Sequence, residues 1–197
     1  MSVRVRPSAH MPQKVVGIVG PIASGKDLVI KVLEKRGFKA FFLGDRAREE
    51  ADRRRLPCDR SILQDIGNEL RKKFGNEVLI RQTEELLDGS EEKIVIDGIR
   101  NPGEIAYLQK KYNALIIGVD SPTESRREFA FKRSGDADPK TREEFARVEK
   151  RDRGLGEDSH GQQVEKCLAL LDIVIENNST KQEFIKQIKT TLKKLNL

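Results

Sequence analysis

The 197-residue chain has no tryptophan, two cysteines, and aromatic side chains at only 5% of its positions. Cys58 and Cys167 stand far apart, with no Cys-x-x-Cys pair and no Cys/His cluster. That pattern argues against structural zinc, excludes the zinc deaminases, and fits a reducing, cytoplasmic setting. The shortage of aromatics removes the stacking platforms that single-strand nucleic-acid binders use. No apolar run reaches the ~18 residues of a membrane span, and no apolar signal segment opens the chain, so membrane and secreted readings fall away. The two histidines, His10 and His160, lie in polar surroundings beside no plausible nucleophile, which leaves a hydrolase triad without support.

Charge is what the chain has in abundance. Charged residues make up 36% against 37% hydrophobic, and 38 Lys and Arg exceed 32 Asp and Glu to give a net charge of +6. The length suffices for one domain with a proper core. The positive excess favours an anionic partner, either a phosphorylated small molecule or a nucleic acid. Most arginines alternate with acids, and only Arg53, Arg54 and Arg55 form a block. The small molecule therefore ranks above the polymer.

Residues 1–13 (MSVRVRPSAHMPQ) show no apolar period and hold two prolines. They are expected to be a loose tail or an added extension, with Met11 as the original start. Residues 14–197 read as a single domain. Short β-branched or apolar runs predict strands at 15–20, 38–44, 93–98, 114–120 and 173–177. Helical periods fall at 27–37, at 79–89, 104–112, 123–133, 141–152, 161–171 and 181–195, and in two pieces of 45–75 divided by Pro57. Five such strands alternating with helices call for a three-layer α/β sandwich with a five-stranded parallel sheet. Ligands in these sheets bind beyond the carboxyl ends of the strands. Charged features gather there: Gly20–Lys26, Gly44-Asp45, Asp97-Gly98-Ile99-Arg100 and Asp120.

The stretch GPIASGKDL has the Gly-x-x-x-x-Gly-Lys spacing of a phosphate-binding loop, set between a strand and a helix as that motif requires. Its glycines let backbone N–H groups face phosphate oxygens at a helix N-terminus, and Lys26 neutralises charge during transfer. Gly20, Ala23, Ser24, Gly25, Lys26, Asp27 and Leu28 are thus the expected nucleotide-binding residues. The hydroxyl that normally follows the lysine is replaced by Asp27. An acid there either complements the helix macrodipole or offers an oxygen to Mg²⁺. Asp97, at the end of KIVID, either holds the metal or caps the turn before Gly98.

With GDRAR (44–48), GNELRKKFG (67–75) and DGIR (97–100), the loop resembles the P-loop nucleoside monophosphate kinases, a P-loop NTPase fold of the adenylate-kinase type. The resemblance covers roughly residues 14–178. It implies a Gly-Asp-x-x-Arg after the second strand that sets Arg48 on the acceptor's phosphate, with Asp45 nearby. It also implies that Asp97, Gly98 and Arg100 match the family's Asp-Gly-Phe-Pro-Arg, the arginine one residue early. It makes 45–75 an acceptor-binding segment and 134–160 a lid over ATP, with Arg133, Arg151 and Arg153 as catalytic lid arginines. The aspartate after the loop lysine is similar to that of phage deoxynucleoside monophosphate kinases, animal-type phosphomevalonate kinases and kinases related to dephospho-coenzyme A kinase.

The function so implied is Mg²⁺- and ATP-dependent phosphoryl transfer to a nucleoside or deoxynucleoside monophosphate, by a monomer or homodimer. One alternative is transfer to a sugar hydroxyl, as in dephospho-coenzyme A kinase, with Asp45 as base. Another is a nucleotide-gated, nucleic-acid-associated ATPase using the arginine-rich segment 46–60. A phosphate acceptor is already ionised and needs arginine clamps, whereas a hydroxyl needs a carboxylate to take its proton. Arg48 and Arg100 favour the first. Arg126 and Arg127 read as ordinary salt-bridge residues.

Overall fold

The computed structural model describes residues 11–133, 135 and 138–197. Ten of the thirteen residues expected as a tail, His10 among them, lie outside these, as do positions 134, 136 and 137 of the expected lid.

The elements run in chain order as β1 (Lys14–Val19), α1 (Lys26–Glu34), β2 (Lys39–Phe42), α2 (Leu43–Arg54), α3 (Arg60–Phe74), α4 (Val78–Glu84), β3 (Lys93–Asp97), α5 (Pro102–Tyr112), β4 (Leu115–Asp120), α6 (Thr123–Arg133), α7 (Arg142–Arg153), α8 (Val164–Leu168), β5 (Ile173–Glu176) and α9 (Lys181–Lys194). All strand pairs are parallel, in the order β2-β3-β1-β4-β5. Helices flank the sheet as in P-loop kinase folds, so the expected three-layer α/β sandwich is what forms.

The period-2 alternation of β-branched residues divides the core in two. Val15 and Val19 of β1, Ile94 and Ile96 of β3 and Ile116 of β4 point into one cluster, roofed by α2 to α5 and α8. Val16, Ile18, Val95, Ile117 and Val119 point into the other, against α1 and α9. Each such fully buried side chain contributes about 1.5–3 kcal/mol. A third, smaller cluster joins Ile22 of the loop to Ala130 of α6 and Phe145 of α7. It fastens α6 and α7 to the phosphate loop.

Several sequence boundaries shift: the helices expected over 27–37 and 79–89 end at Glu34 and Glu84. β2 stops at Phe42, and Leu43-Gly44 already belong to α2. The helix expected over 161–171 shrinks to Val164–Leu168. Its first residues are held as a loop because the Asn101 amide donates to the Gly161 carbonyl at 3.0 Å and the Gln163 N–H donates to the Arg100 carbonyl at 2.6 Å. Those bonds set this loop beside the cleft, which Gln162 lines.

Candidate active site

β1, at the centre of the sheet, delivers the chain to the loop Gly20–Gly25. Gly25 adopts φ +101°, a left-handed conformation that side chains resist. Gly20 is required for a different reason, close approach. A Cβ there would lie 2.3 Å from the Val119 carbonyl oxygen of β4. Gly20→Ala is therefore expected to destabilise by about 3 kcal/mol, as overpacking against backbone does. The melting temperature should drop by roughly 10 °C, readable by calorimetry. Asn177, just after β5, supports the loop from beneath by donating its amide to the Ser24 carbonyl at 3.0 Å.

Lys26 is 8% exposed. Its ammonium curls over the loop and donates to the Gly20 and Pro21 carbonyls at 3.0 and 2.8 Å. Burial pulls its pKa down to about 8, against the raising influence of Asp97 and Asp152. Arg100 joins the cluster, donating to the Gly20 carbonyl at 3.2 Å and to Asp152 at 2.9 Å. Asp152, on α7, is fully buried. Arg60 approaches its other oxygen at 3.7 Å. Burial would raise the Asp152 pKa, but Arg100, Arg60 and Lys26 together hold it below the usual carboxylate range. One carboxylate thus pairs with two arginines beside the loop and acts on Lys26 through its charge.

The cleft over this cluster has a volume of about 600 Å³. Of the expected residues it is lined by Ala23, Lys26, Asp27, Asp45, Arg48, Asp97, Arg100 and Arg133. Asp97 carries a buried oxygen, Oδ1, with no hydrogen-bond partner among the described residues. Arg48 pairs with Asp45 at 2.8 Å, both about half exposed. Arg133 is paired with Asp138 by two hydrogen bonds.

Other expectations are placed elsewhere. Arg151 and Arg153, expected as catalytic lid arginines, do not line this cleft. Arg151 pairs with Glu157 and Asp65, Arg153 with Glu149 and Glu165. They flank Asp152 on α7, and successive helical residues point about 100° apart, so the buried carboxylate takes the inward direction and the two arginines take others. Leu28, half-buried on α1, packs against the core. Ser24 is buried behind the loop. Asp120 binds its own turn through the Ser121 N–H. His160 lies against Asn76. Arg127 pairs with Glu124 on the surface, while Arg126, expected to be equally ordinary, is buried against Glu149, Thr123 and the Ser121 carbonyl.

Asp152, Arg60, Asn177, Arg71 and Glu104 are site residues that the motif reading missed. One signal for Asp152 was present: Phe145, Val148 and Asp152 recur at i, i+3 and i+7 on α7, the spacing of a buried face.

No family model matches the chain. It is 29% identical over 187 residues to a UPF0200 protein of Pyrococcus horikoshii, covering 92% of this chain and 97% of that one. TT1252 from Thermus thermophilus superposes with a TM-score of 0.58 at 24% identity, covering 94% of this chain and 99% of that one. Shikimate kinase from Aquifex aeolicus does so with a TM-score of 0.51 at 19% identity, covering 92% and 98%. The sheet order, the glycine loop and these likenesses agree on one conclusion: the chain has the fold of the P-loop kinases.

Proposed function

We propose that this chain transfers the γ-phosphoryl group of ATP to a nucleoside or deoxynucleoside monophosphate. The observation that carries the reading is that a single cleft is bordered both by the loop residues Lys26 and Asp27 and by the acceptor-type residues Arg48 and Arg100. A donor triphosphate and an acceptor phosphate repel each other, and fork-shaped guanidinium groups are suited to holding both. Lys26 exchanges its carbonyl partners for phosphate oxygens, a swap that its buried position makes local. An oxygen of the acceptor's phosphate attacks the γ-phosphorus, the bond to the β–γ bridging oxygen breaks, and ADP leaves with that electron pair. No base is needed, since the attacking oxygen is already ionised. Asp45 is engaged by Arg48, which suits it to orienting that clamp.

The donor set also suits Mg²⁺. Asp97 brings an unpartnered buried oxygen to the cleft, and Asp27 lines the same cleft. Magnesium is commonly held by one or two carboxylates, with phosphate oxygens and water completing its shell. Bound there, the ion would neutralise charge on the transferring phosphates.

The test is a coupled ADP-release screen over nucleoside and deoxynucleoside monophosphates, dephospho-coenzyme A and phosphomevalonate. Turnover is expected with a nucleoside monophosphate. Arg48→Ala should raise the acceptor KM roughly 10- to 100-fold, the worth of one charged hydrogen bond, with ATP affinity unchanged. Turnover of dephospho-coenzyme A alone would instead assign a hydroxyl acceptor. ATPase activity that rises with RNA or DNA but with no monophosphate would assign a nucleic-acid partner.

A further inference from the structure

Arg71 borders the cleft with one of its donors unspent. It lies on α3, is 2% exposed, and lines the same cavity as Lys26 and Arg100. Its Nε and Nη2 both reach Glu104 Oε1 at 2.9 Å. Nη1 is buried and has no hydrogen-bond partner among the described residues. Glu104 is itself fully buried, and its second oxygen accepts the N–H groups of Arg100 and Asn101 at 2.7 and 3.0 Å. Both carboxylate oxygens are therefore committed, and the guanidinium is held with Nη1 left over.

Stability does not account for this arrangement. A buried ion pair is at best a weak stabiliser, and an unsatisfied buried donor is a penalty. A ligand does account for it. The cleft that Arg71 lines is bordered by Leu43 and Ala47 of α2, Leu63 and Gly67 of α3 and Leu79 of α4, alongside the polar Asp45, Arg48, Arg60 and Gln64, and a Cβ on Gly67 would lie 3.4 Å from Arg71 Nη1. Gln64 also lines the cleft, its side-chain amide donating to Gln162 Oε1 at 3.1 Å. An apolar wall with a few polar groups beside it suits a heterocycle. Arginine has no acceptor atoms, so whatever meets Nη1 must present a lone pair.

We infer that this part of the cleft takes the base of the acceptor nucleotide, and that Arg71 Nη1 donates to an exocyclic ring carbonyl. The favoured acceptors are then oxo-bearing nucleotides, those of uracil, thymine, hypoxanthine or guanine. An exocyclic amino group at the same position sets donor against donor and is rejected. Glu104 gives this site a second role: it ties the group that reads the base to the backbone of Arg100, the expected phosphate clamp. This inference rests on the proposed reaction.

The experiment compares kcat/KM within two matched pairs that differ by oxo against amino, UMP with CMP and IMP with AMP. At least one oxo member should be favoured about 100-fold or more, since a site built around a buried hydrogen bond strongly rejects a substrate that cannot make it. Arg71→Met keeps length and removes the donor, and should bring that ratio below about 10 while leaving the calorimetric Kd for ATP unchanged. If that variant does not melt cooperatively, the double variant Arg71→Met with Glu104→Gln removes the stranded charge and keeps an oxygen for the Arg100 and Asn101 N–H groups. A parent that prefers the amino member in both pairs, or a preference that survives Arg71→Met, overturns the assignment and leaves the kinase reading standing. If no monophosphate is turned over, the reaction itself fails. Calorimetric binding of UMP against CMP then decides the base assignment, and equal affinities overturn it.

Discussion

Lys26→Met is expected to lower kcat about 1000-fold, the scale of losing one preorganised charge at a developing anion. The fold should survive, and the pH dependence of nucleotide binding should disappear. The last outcome follows from burial. In the free protein the ammonium has a pKa of about 8, below its ordinary 10.5. A triphosphate favours the charged form and raises that value, so binding takes up protons. The sign is fixed by this order. Affinity is constant well below pH 8, then falls by up to tenfold per pH unit above it, until the pKa of the complex is reached. At pH 8 about half a proton should be taken up per ATP bound, measurable by calorimetry in buffers of different ionisation enthalpy. Folding carries the opposite sign. A lysine with a folded pKa below its unfolded value destabilises the fold below pH 8, and the penalty fades as pH rises toward 10.5. The parent should thus gain on Lys26→Met in melting temperature between pH 8 and 10. A flat affinity profile in the parent from pH 7 to 9 would show that the ammonium does not meet the triphosphate.

What the sequence disclosed and what it withheld divide along sequence distance. Buried parallel strands need β-branched runs on both faces, and KVVGIV, KIVID and LIIGVD are legible for that reason. The phosphate loop is legible because its Gly-x-x-x-x-Gly-Lys spacing lies within seven residues, although the close approach of Gly20 to Val119 of β4 that requires the first glycine is long-range. Pro57 marked the break between α2 and α3 because it has no N–H to continue a helix. The Arg71–Glu104 pair spans 33 residues and the Arg100–Asp152 pair 52. No local pattern announces such pairings, since each charge alone resembles a solvated surface residue. The run Arg151-Asp152-Arg153 is instructive. Charge alone drew attention to the two arginines, whereas helical phase buries the aspartate between them and leaves each arginine with its own carboxylates.

Asp152→Asn is expected to lower the melting temperature of the free protein by roughly 10 °C, because removing one member of a buried ion cluster costs about 3–5 kcal/mol. The side chain has nowhere to recover hydration, being fully buried, and Arg100, Arg60 and Lys26 would lose their shared anion. Lys26 should respond as well. Asp152 raises its pKa, so the variant's lysine titrates below 8 and the loss of ATP affinity begins at lower pH. The parent carboxylate has its own acid limit. Its pKa is depressed below 3.8, so its contribution is fully present above pH 3.8 and is lost as pH falls through the lower, folded value. The decisive measurement is the stabilisation by inorganic tripolyphosphate with Mg²⁺. If Asp152 neutralises cations that the donor's phosphates later meet, the added anion replaces the missing charge, and the ligand-induced rise in melting temperature is larger in the variant than in the parent. An equal or smaller rise would mean that Asp152 serves instead to aim Arg100 and Lys26. Its loss would then show as a lower kcat at unchanged KM, because misdirected cations still attract phosphates but no longer stabilise the one in flight.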